Sequence, residues 1–123
     1  MDLGNIKAGQ TGQRVTKVTK EMSINRMGRE GADVLSTPGL LELMEWACIE
    51  ATDAYLPEGY TTVGYAVDGF RHVAPTPVGN SVTVKVELTE VDRNRLTYSI
   101  QAFEGDKSIG VATHKRAVVS TAE

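Results

Sequence analysis

The stretch T-P-G-L-L-E-L-M-E-W-A-C, Thr37–Cys48, decides how the rest of this chain must fold. It begins a series of apolar residues at helical spacing, which are Leu40, Leu41, Met44, Ala47, Cys48, Ala51 and Tyr55. Thr37 is the predicted N-cap, and Pro38 suits the first helical position because its missing N–H has no partner to lose there. The residues L-P-E-G at 56–59 end the pattern. The sequence therefore predicts one long helix over Pro38–Tyr55.

Most of the chain after this helix alternates apolar and polar residues, which is typical of half-buried antiparallel strands. The clearest strand is predicted over Val82–Leu88, and a turn at Asp92–Arg95 leads to a second over Leu96–Ala102. Another turn at Glu104–Lys107 leads to a last strand over Ile109–Val119. These three strands follow one another through short turns, so we expect them to be neighbours in one sheet.

Two further strands are predicted, one over Thr61–His72 and a weaker one over Gly12–Met22. The irregular segment Ser23–Ser36 lies between the weaker strand and the helix, and its Met27, Val34 and Leu35 are expected to form a flap over the core. Trp46 and Ile49 lie off the apolar stripe of the helix, which predicts a second covering surface on that side. One curled antiparallel sheet wrapped around the long central helix, an α+β fold, buries these apolar faces most simply.

Length and composition restrict the possible functions. A chain of 123 residues is expected to form a single domain over 1–123, and its net charge of −3 does not favour nucleic acid. No apolar stretch approaches the roughly 20 residues that span a membrane, and no signal peptide is predicted. The lone Cys48 excludes an intramolecular disulfide and an all-cysteine metal site. We therefore expect a cytoplasmic protein that binds neither nucleic acid nor membrane.

Glu45 is the first candidate for a chemical role. On a helical projection it lies about 100° from Met44, at the shoulder of the apolar stripe. Glu42 and Asp53 point nearly opposite, towards solvent. A carboxylate at that shoulder is partly shielded from water and can serve as a general base. An exposed helix glutamate without a chemical role is the alternative.

Thr37 and His72 are the other candidates. A threonine at a helix start lies beside free N–H groups and the positive end of the helix dipole, which suit a developing oxyanion. His72 ends a strand just before two prolines, and His114 on the last strand is a rival imidazole. Eight helical residues separate Thr37 from Glu45, about 12 Å. Their side chains would therefore flank an extended substrate or act from different subunits.

Glycines and missing motifs complete the residue-based interpretation. Gly64 and Gly69 interrupt the strand that leads to His72, and such glycines mark bulges or close backbone approaches. Cys48 lies on the apolar face of the helix and is expected to be inert. The sequence has no G-x-S-x-G elbow, P-loop, G-x-G-x-x-G or H-E-x-x-H motif. No metal site is predicted.

Three blocks of this sequence resemble the fluoroacetyl-CoA thioesterase family of hotdog-fold proteins. They are T-P-G-L-L-E-L-M-E-W-A-C, R-H-V-A-P-T-P-V-G and G-V-A-T-H-K-R-A-V, and the resemblance covers about Val34–Val119. It implies a hotdog fold whose sheets pair edge to edge in a homodimer, which also covers an exposed sheet edge. It further implies hydrolysis of short acyl-CoA thioesters, a reaction that needs no metal or redox cofactor.

The same resemblance implies the roles of individual residues. The catalytic threonine, glutamate and histidine of the family correspond to Thr37, Glu45 and His72. Gly64 most nearly matches the strand glycine beside the thioester, and Arg116 matches the basic residue that contacts CoA. Gly69 is expected to form a bulge that absorbs one additional residue before His72.

The acyl group stays open at this point. The flap Ser23–Ser36 has no Phe, Tyr or Trp, whereas aromatic gating residues are associated with fluoroacetyl selectivity in this family. Our hypothesis is acyl-CoA hydrolysis in which Glu45 activates water or attacks the carbonyl, with an imidazole from the neighbouring subunit. Non-catalytic binding of acyl-CoA or a related acyl ligand is the alternative. An enoyl-CoA hydratase ranks last, because the D-x-N-x-x-H signature of that branch is absent.

Overall fold

Five antiparallel strands and one long helix make up the described part of the chain, residues 3–25 and 28–121 of a computed structural model. In chain order the elements are β1 (Thr11–Lys17), a 3-10 turn (Lys20–Met22), α1 (Thr37–Thr52), a second 3-10 turn (Asp53–Tyr55), β2 (Tyr60–His72), β3 (Ser81–Asp92), β4 (Arg95–Glu104) and β5 (Lys107–Ser120). All the predicted strands are present, but the first is shorter than predicted. It ends at Lys17, because the chain turns away from the sheet where Val18 enters the core.

The strands form one sheet in the order β1-β3-β4-β5-β2. Val86 of β3 pairs with Ile100 of β4, and Ile100 pairs with Ala112 of β5, so the apolar positions of three strands share one face. Arg93 at φ 57° and Gly105 at φ 60° shape the two hairpin turns, which lie where the sequence predicted them. The longest exposed edge of the sheet is β2, which pairs with β5 alone.

The helix begins one residue earlier than predicted, and its N-cap is Ser36 rather than Thr37. The Gly39 N–H donates to Ser36 Oγ over 3.0 Å, which satisfies one of the free amides of the first turn. Thr37 is the first helical residue, and its hydroxyl is free for another contact. The prediction was wrong because two adjacent hydroxyl residues both suit a cap, and only the backbone geometry decides between them.

The inner face of the sheet packs against one side of α1. Leu40, Leu43, Met44, Ala47, Cys48 and Ala51 are the buried apolar residues of the helix. Gly110 lets the helix approach, since a Cβ there would lie 2.8 Å from Leu40 Cδ2. The buried hydroxyls of Thr52 and Tyr98 lie 2.6 Å apart and satisfy each other in the core. Within the described residues, no helix is long and apolar enough to cross a membrane.

The opposite side of α1 is more open than predicted. Trp46 is 47% exposed, and Tyr55, which was assigned to the apolar stripe, is 54% exposed. No second surface of the described chain covers Trp46, whose ring is instead contacted by the Arg14 guanidinium, 5.9 Å from its centroid. The predicted second cover is therefore wrong for Trp46, whereas Ile49 is half-buried.

The two ends of the flap pair with each other, and Val34 links the flap to the segment that follows β2. Ser23 pairs with Leu35, and Val34 pairs with Pro77, each as an isolated β-bridge. Leu35 is buried in the core, as predicted. Met27, the third predicted flap residue, lies outside the described residues. The start of α1 is thereby held against the segment that follows β2.

Candidate active site

The helix runs antiparallel to β2, and successive contacts along both elements order the candidate residues. Thr37, at the start of α1, contacts His72, at the end of β2. Glu45, two turns further along, lies beside Gly64. The last of these contacts is at the end of the helix, where Asp53 accepts a hydrogen bond from Thr62. The curl of the sheet brings all three positions of β2 onto the helix.

The first cluster is the pair of Thr37 and His72. Thr37 Oγ1 and His72 Nδ1 lie 3.0 Å apart, at hydrogen-bond distance. Burial lowers the pKa of His72, and the backbone of Ala74 opposes this in part, so the imidazole is neutral at pH 7. Its Nε2 is buried and has no hydrogen-bond partner in the described part of the chain. One ring nitrogen of His72 therefore makes no hydrogen bond within the described chain.

An open apolar pocket of about 300 Å³ lies beside this pair. Its walls are Thr37 and His72 together with Ile24, Val34, Leu35, Val73, Ala74 and Pro75. Apart from the pair and the backbone, every wall is aliphatic. Such a surface suits a small apolar group next to the threonine hydroxyl and the imidazole.

The second cluster is centred on Glu45. Its side chain is 45% exposed, and Arg116 Nη1 donates to its Oε2 over 3.1 Å. The helix thus presents a carboxylate that is accessible on one side and paired with a buried cation on the other. This confirms the predicted half-sheltered position at the shoulder of the apolar stripe. A carboxylate held in this way can accept a proton from water or act as a nucleophile.

His114 lies in this second cluster and is 3% exposed. Its Nδ1 lies 2.9 Å from the Ala66 carbonyl oxygen, and a carbonyl only accepts, so Nδ1 carries the proton. Nε2 then accepts from Arg116 Nη1 over 3.2 Å. Burial lowers the pKa of His114 and keeps the ring neutral, although Ala66 favours the charged form. The imidazole beside Glu45 within one chain is therefore His114, with its Nε2 3.7 Å from Glu45 Oε2.

Arg116 connects the cluster to the sheet. The side chain is only 5% exposed. Its Nη2 donates to the Thr62 carbonyl over 3.0 Å, and its Nε donates to Thr62 Oγ1 over 2.9 Å. Within this chain the guanidinium therefore faces inward, towards Glu45 and Thr62. The CoA contact implied for Arg116 stays a prediction.

Gly64 lies directly against the second cluster. A Cβ at this position would lie 2.8 Å from Glu45 Oε2, 2.9 Å from His114 Cε1 and 3.1 Å from Arg116 Nη1. The absence of a side chain therefore leaves the room that the carboxylate occupies, and the close backbone approach is confirmed. Gly69 has φ 60° at a break in register between Asp68 and Arg71, as expected for a bulge.

The structure brings Thr37 to His72 and brings Glu45 to Gly64 and Arg116, but it does not join these two clusters. No hydrogen bond or ion pair among the described residues links Glu45 to His72. Residue patterns alone did not distinguish the two imidazoles and did not single out Thr62 as a partner of Arg116. Asp53 was assigned to solvent, whereas its carboxylate accepts from Thr62 Oγ1 over 2.7 Å.

Other reactive groups in the described chain are not near these clusters or are held inert. Burial raises the pKa of Cys48 to about 12, so the thiol is protonated and unreactive, as predicted from its place on the apolar face. Among residues 3–25 and 28–121, no group of three or more His, Cys, Asp and Glu side chains could hold a metal ion.

Residues 18–122 match the family FlK, fluoroacetyl-CoA-specific thioesterase. The chain belongs to this family. A fluoroacetyl-CoA thioesterase of Streptantibioticus cattleyicolor is 41% identical over 90 residues, which are 73% of this chain and 64% of that protein. The match therefore spans a little less than two thirds of this relative.

Solved structures are similar over nearly the whole chain. A variant of the thioesterase FlK in complex with fluoroacetate and CoA is 32% identical, with a TM-score of 0.83 over 94% of this chain and 96% of that chain. A hot-dog-like protein from Thermanaerovibrio acidaminovorans is 29% identical, with a TM-score of 0.86 over 98% of this chain and 90% of that one. The predicted hotdog fold is confirmed.

Proposed function

We propose that this protein hydrolyses short acyl-CoA thioesters to the free acid and CoA, at a site completed by two copies of the chain. The observation that carries the proposal is the Glu45 carboxylate, which is fixed by a buried guanidinium and lies against the bare backbone of Gly64. Membership of a thioesterase family supports the reaction, and a relative in complex with CoA supports the substrate class.

Glu45 supplies the basic or nucleophilic oxygen in this proposal. As a general base it takes a proton from water, whose oxygen bonds to the thioester carbon while the carbon–sulfur bond breaks. As a nucleophile it forms an anhydride that water then opens. Single turnover in isotopically labelled water separates the two routes, because label in the Glu45 carboxylate excludes pure base catalysis.

Thr37 and His72 supply the remaining groups. His72 relays the proton that Glu45 takes from water to the departing CoA sulfur: the neutral ring accepts that proton on one nitrogen and releases a proton to the sulfur. Thr37 orients the attacking oxygen or polarises the thioester carbonyl from the start of α1, where the helix dipole favours negative charge. The three residues stay catalytic candidates, and Gly64 and Arg116 stay candidates for substrate binding.

The two clusters are joined across a homodimer in this proposal. The edge strand β2 exposes Val63, Tyr65 and Val67, and a long apolar strand edge favours pairing with another strand. Antiparallel pairing of two β2 strands about a two-fold axis near Asp68 would bring the end of one strand opposite the middle of the other. Such pairing would carry His72 of the partner subunit towards Gly64 and Glu45.

The aliphatic pocket beside Thr37 and His72 is proposed to hold the acyl group. Its walls offer no aromatic side chain and, besides the pair itself, no charged one. A small alkyl chain gains from contact with such walls, at about 0.8 kcal/mol per buried methylene. The proposal therefore includes short acyl groups as the substrates.

Three further parts of the proposal rest on composition and chemistry. No metal or redox cofactor takes part, because water, a carboxylate and an imidazole are sufficient for hydrolysis. A net charge of −3 argues against nucleic acid as a partner. A reducing cytoplasm suits the single cysteine.

A panel of acyl-CoA esters, scored by release of the free CoA thiol, tests the function. We expect turnover with acetyl- to butyryl-CoA that is lost in Glu45→Gln. Tight binding of the same esters with no thiol released would contradict hydrolysis and would favour the alternative function, a non-catalytic acyl-CoA binder.

A further inference from the structure

A continuous chain of hydrogen bonds runs from the end of α1 to the carboxylate of Glu45. Asp53 Oδ1 accepts from Thr62 Oγ1 over 2.7 Å, and Thr62 Oγ1 accepts from Arg116 Nε over 2.9 Å. Arg116 Nη1 then donates to Glu45 Oε2 over 3.1 Å. The carboxylate of Glu45 within α1 and that of Asp53 at its C-cap are thus linked through two residues of the sheet.

The order of donors and acceptors in this chain is fixed by chemistry. A guanidinium only donates and an ionised carboxylate only accepts, so the single proton of the Thr62 hydroxyl must point to Asp53. The hydroxyl lone pairs then face Arg116. Thr62 is buried, which leaves its hydroxyl no water to turn towards. Removing Asp53 would free that proton to turn back towards the guanidinium.

Thr62 fixes the plane of the Arg116 guanidinium. Its hydroxyl accepts from Nε and its carbonyl accepts from Nη2, so Thr62 binds two adjacent donors of the planar guanidinium. The remaining terminal nitrogen, Nη1, is then aimed at Glu45 on one side and at His114 on the other. Tilting the fork would move the donor away from the carboxylate.

Asp53 also stands where a carboxylate is not favoured by the helix. It is the C-cap of α1, and the negative end of the helix dipole opposes an acidic group there. Thr61 and Thr62 both donate to it, at 3.4 Å and 2.7 Å. The hydrogen bonds from Thr61 and Thr62 therefore explain the position of Asp53. Its carboxylate also places a second negative charge near Arg116, separated from it by the Thr62 hydroxyl.

We propose that Thr62 and Asp53 are positioning residues for the hydrolysis: they orient Arg116 so that it holds the Glu45 carboxylate beside Gly64. The inference rests on the proposed function, because it assigns a consequence for turnover. Neither residue touches Glu45 directly. Both act through Arg116, and their effect is therefore expected on kcat rather than on the affinity for the ester.

Thr62→Val tests this, with Thr62→Ser as the conservative variant and Thr61→Val as the matched control. Valine keeps the shape and removes the hydroxyl, whereas serine restores it. The Thr61 hydroxyl also reaches Asp53 but does not contact Arg116. We expect kcat to fall about tenfold or more in Thr62→Val, with KM within about twofold. Thr62→Ser and Thr61→Val should stay within about twofold of the wild type in both constants.

A second pair of variants keeps the test decisive if Thr62→Val does not fold. Asp53→Ala removes the acceptor and should lower kcat as Thr62→Val does. Asp53→Asn keeps an oxygen that accepts from Thr62 and should retain most of the turnover. Thermal unfolding of each variant separates loss of fold from loss of positioning.

The outcomes distinguish this inference from the proposed function. If the wild type hydrolyses the esters and folded Thr62→Val or Asp53→Ala has the same kcat, only the positioning roles are overturned. A fall in Thr61→Val as large as in Thr62→Val also overturns them, since it would point to general damage of the strand. A wild type that releases no thiol from any ester overturns the proposed function and, with it, the assignment of these roles.

Discussion

The two clusters along α1 differ in how complete each is within a single chain. Around Glu45 the charge is already paired within the chain, since Arg116 donates to Thr62, to Glu45 and to His114. Around His72 only one ring nitrogen has a partner in the described chain, and the pocket beside it is open. One region is assembled by the fold of the monomer, and the other has capacity left for a substrate or a second chain.

This difference indicates that the two clusters have different requirements. A buried cation must be compensated, and its partners therefore belong to the same hydrophobic core that forms when the chain folds. A proton-transfer group must instead remain accessible to the reacting atoms. In the proposed dimer, each chain supplies the charged part of the site by itself, and the second chain brings the group that moves the proton. Four experiments test this comparison.

The largest effect is expected from Glu45→Gln. Glutamine keeps the side-chain shape but cannot accept a proton from water, so kcat should fall by about 10²–10⁴-fold while the fold is retained. Turnover of acyl-CoA by thiol release and thermal unfolding are the two measurements. Glu42→Gln, one turn earlier on the exposed side of α1, is the control and should change neither. Full activity in Glu45→Gln would remove Glu45 from the chemistry.

Gly64→Ala should have the next largest effect. The added Cβ would lie 2.8 Å from Glu45 Oε2, and the carboxylate must move away from it. A displacement of about 1 Å can cost about 10²-fold in rate, and we expect a loss of that order. Because buried His114 must shift as well, the melting temperature should also fall. The control is the double variant with Glu45→Gln. If displacement of Glu45 is the cause, Gly64→Ala adds no further loss in that background.

The pH dependence of the free energy of unfolding should show which histidine loses more stability when it is protonated. The pKa of both His72 and His114 is lowered in the folded protein. Between the unfolded value of about 6.5 and the lower folded pKa, the unfolded chain binds more protons. The free energy of unfolding should therefore fall as the pH falls from about 7 towards 5.

Urea unfolding across this pH range, in the wild type and in two asparagine variants, measures the contribution of each ring. His114 is more deeply buried than His72, so His114→Asn should remove more of the pH dependence than His72→Asn. Wild-type stability that does not change between pH 7 and 5, or the opposite order of the variants, would contradict the neutral state inferred for these rings.

The fold was largely predictable because its decisive signals are local. Alternation along Val82–Leu88 and Leu96–Ala102 and the two tight turns between the last three strands specify the hairpins directly. The N-cap was not predictable, since Ser36 and Thr37 are adjacent hydroxyl residues. The backbone geometry selects Ser36, and Thr37 contacts His72 instead. Trp46 was misjudged for a related reason, because spacing along a helix does not tell whether a second layer exists.

The candidate site was predictable only in part. The resemblance pointed to Thr37, Glu45 and His72, but it did not tell which of them meet within one chain. The pairing of Gly64 with Arg116 in the β2–β5 ladder places that arginine beside Glu45, and no local pattern specifies this register. Thr62 and Arg116 are 54 positions apart, so their contact leaves no signal in either neighbourhood.

Mixed dimers of two inactive variants test the joining of the two clusters most directly. Glu45→Gln and His72→Asn chains are co-expressed, and the mixed dimers are isolated together with both parent homodimers. In a site shared between two chains, each mixed dimer keeps one complete site. If Glu45 acts with His72 of the partner subunit, random pairing restores about a quarter of the wild-type turnover. Thr37→Val mixed with His72→Asn is the control and should restore none, because both residues lie in the same cluster. No recovery in the first mixture, or equal recovery in both, would contradict a site shared between two chains.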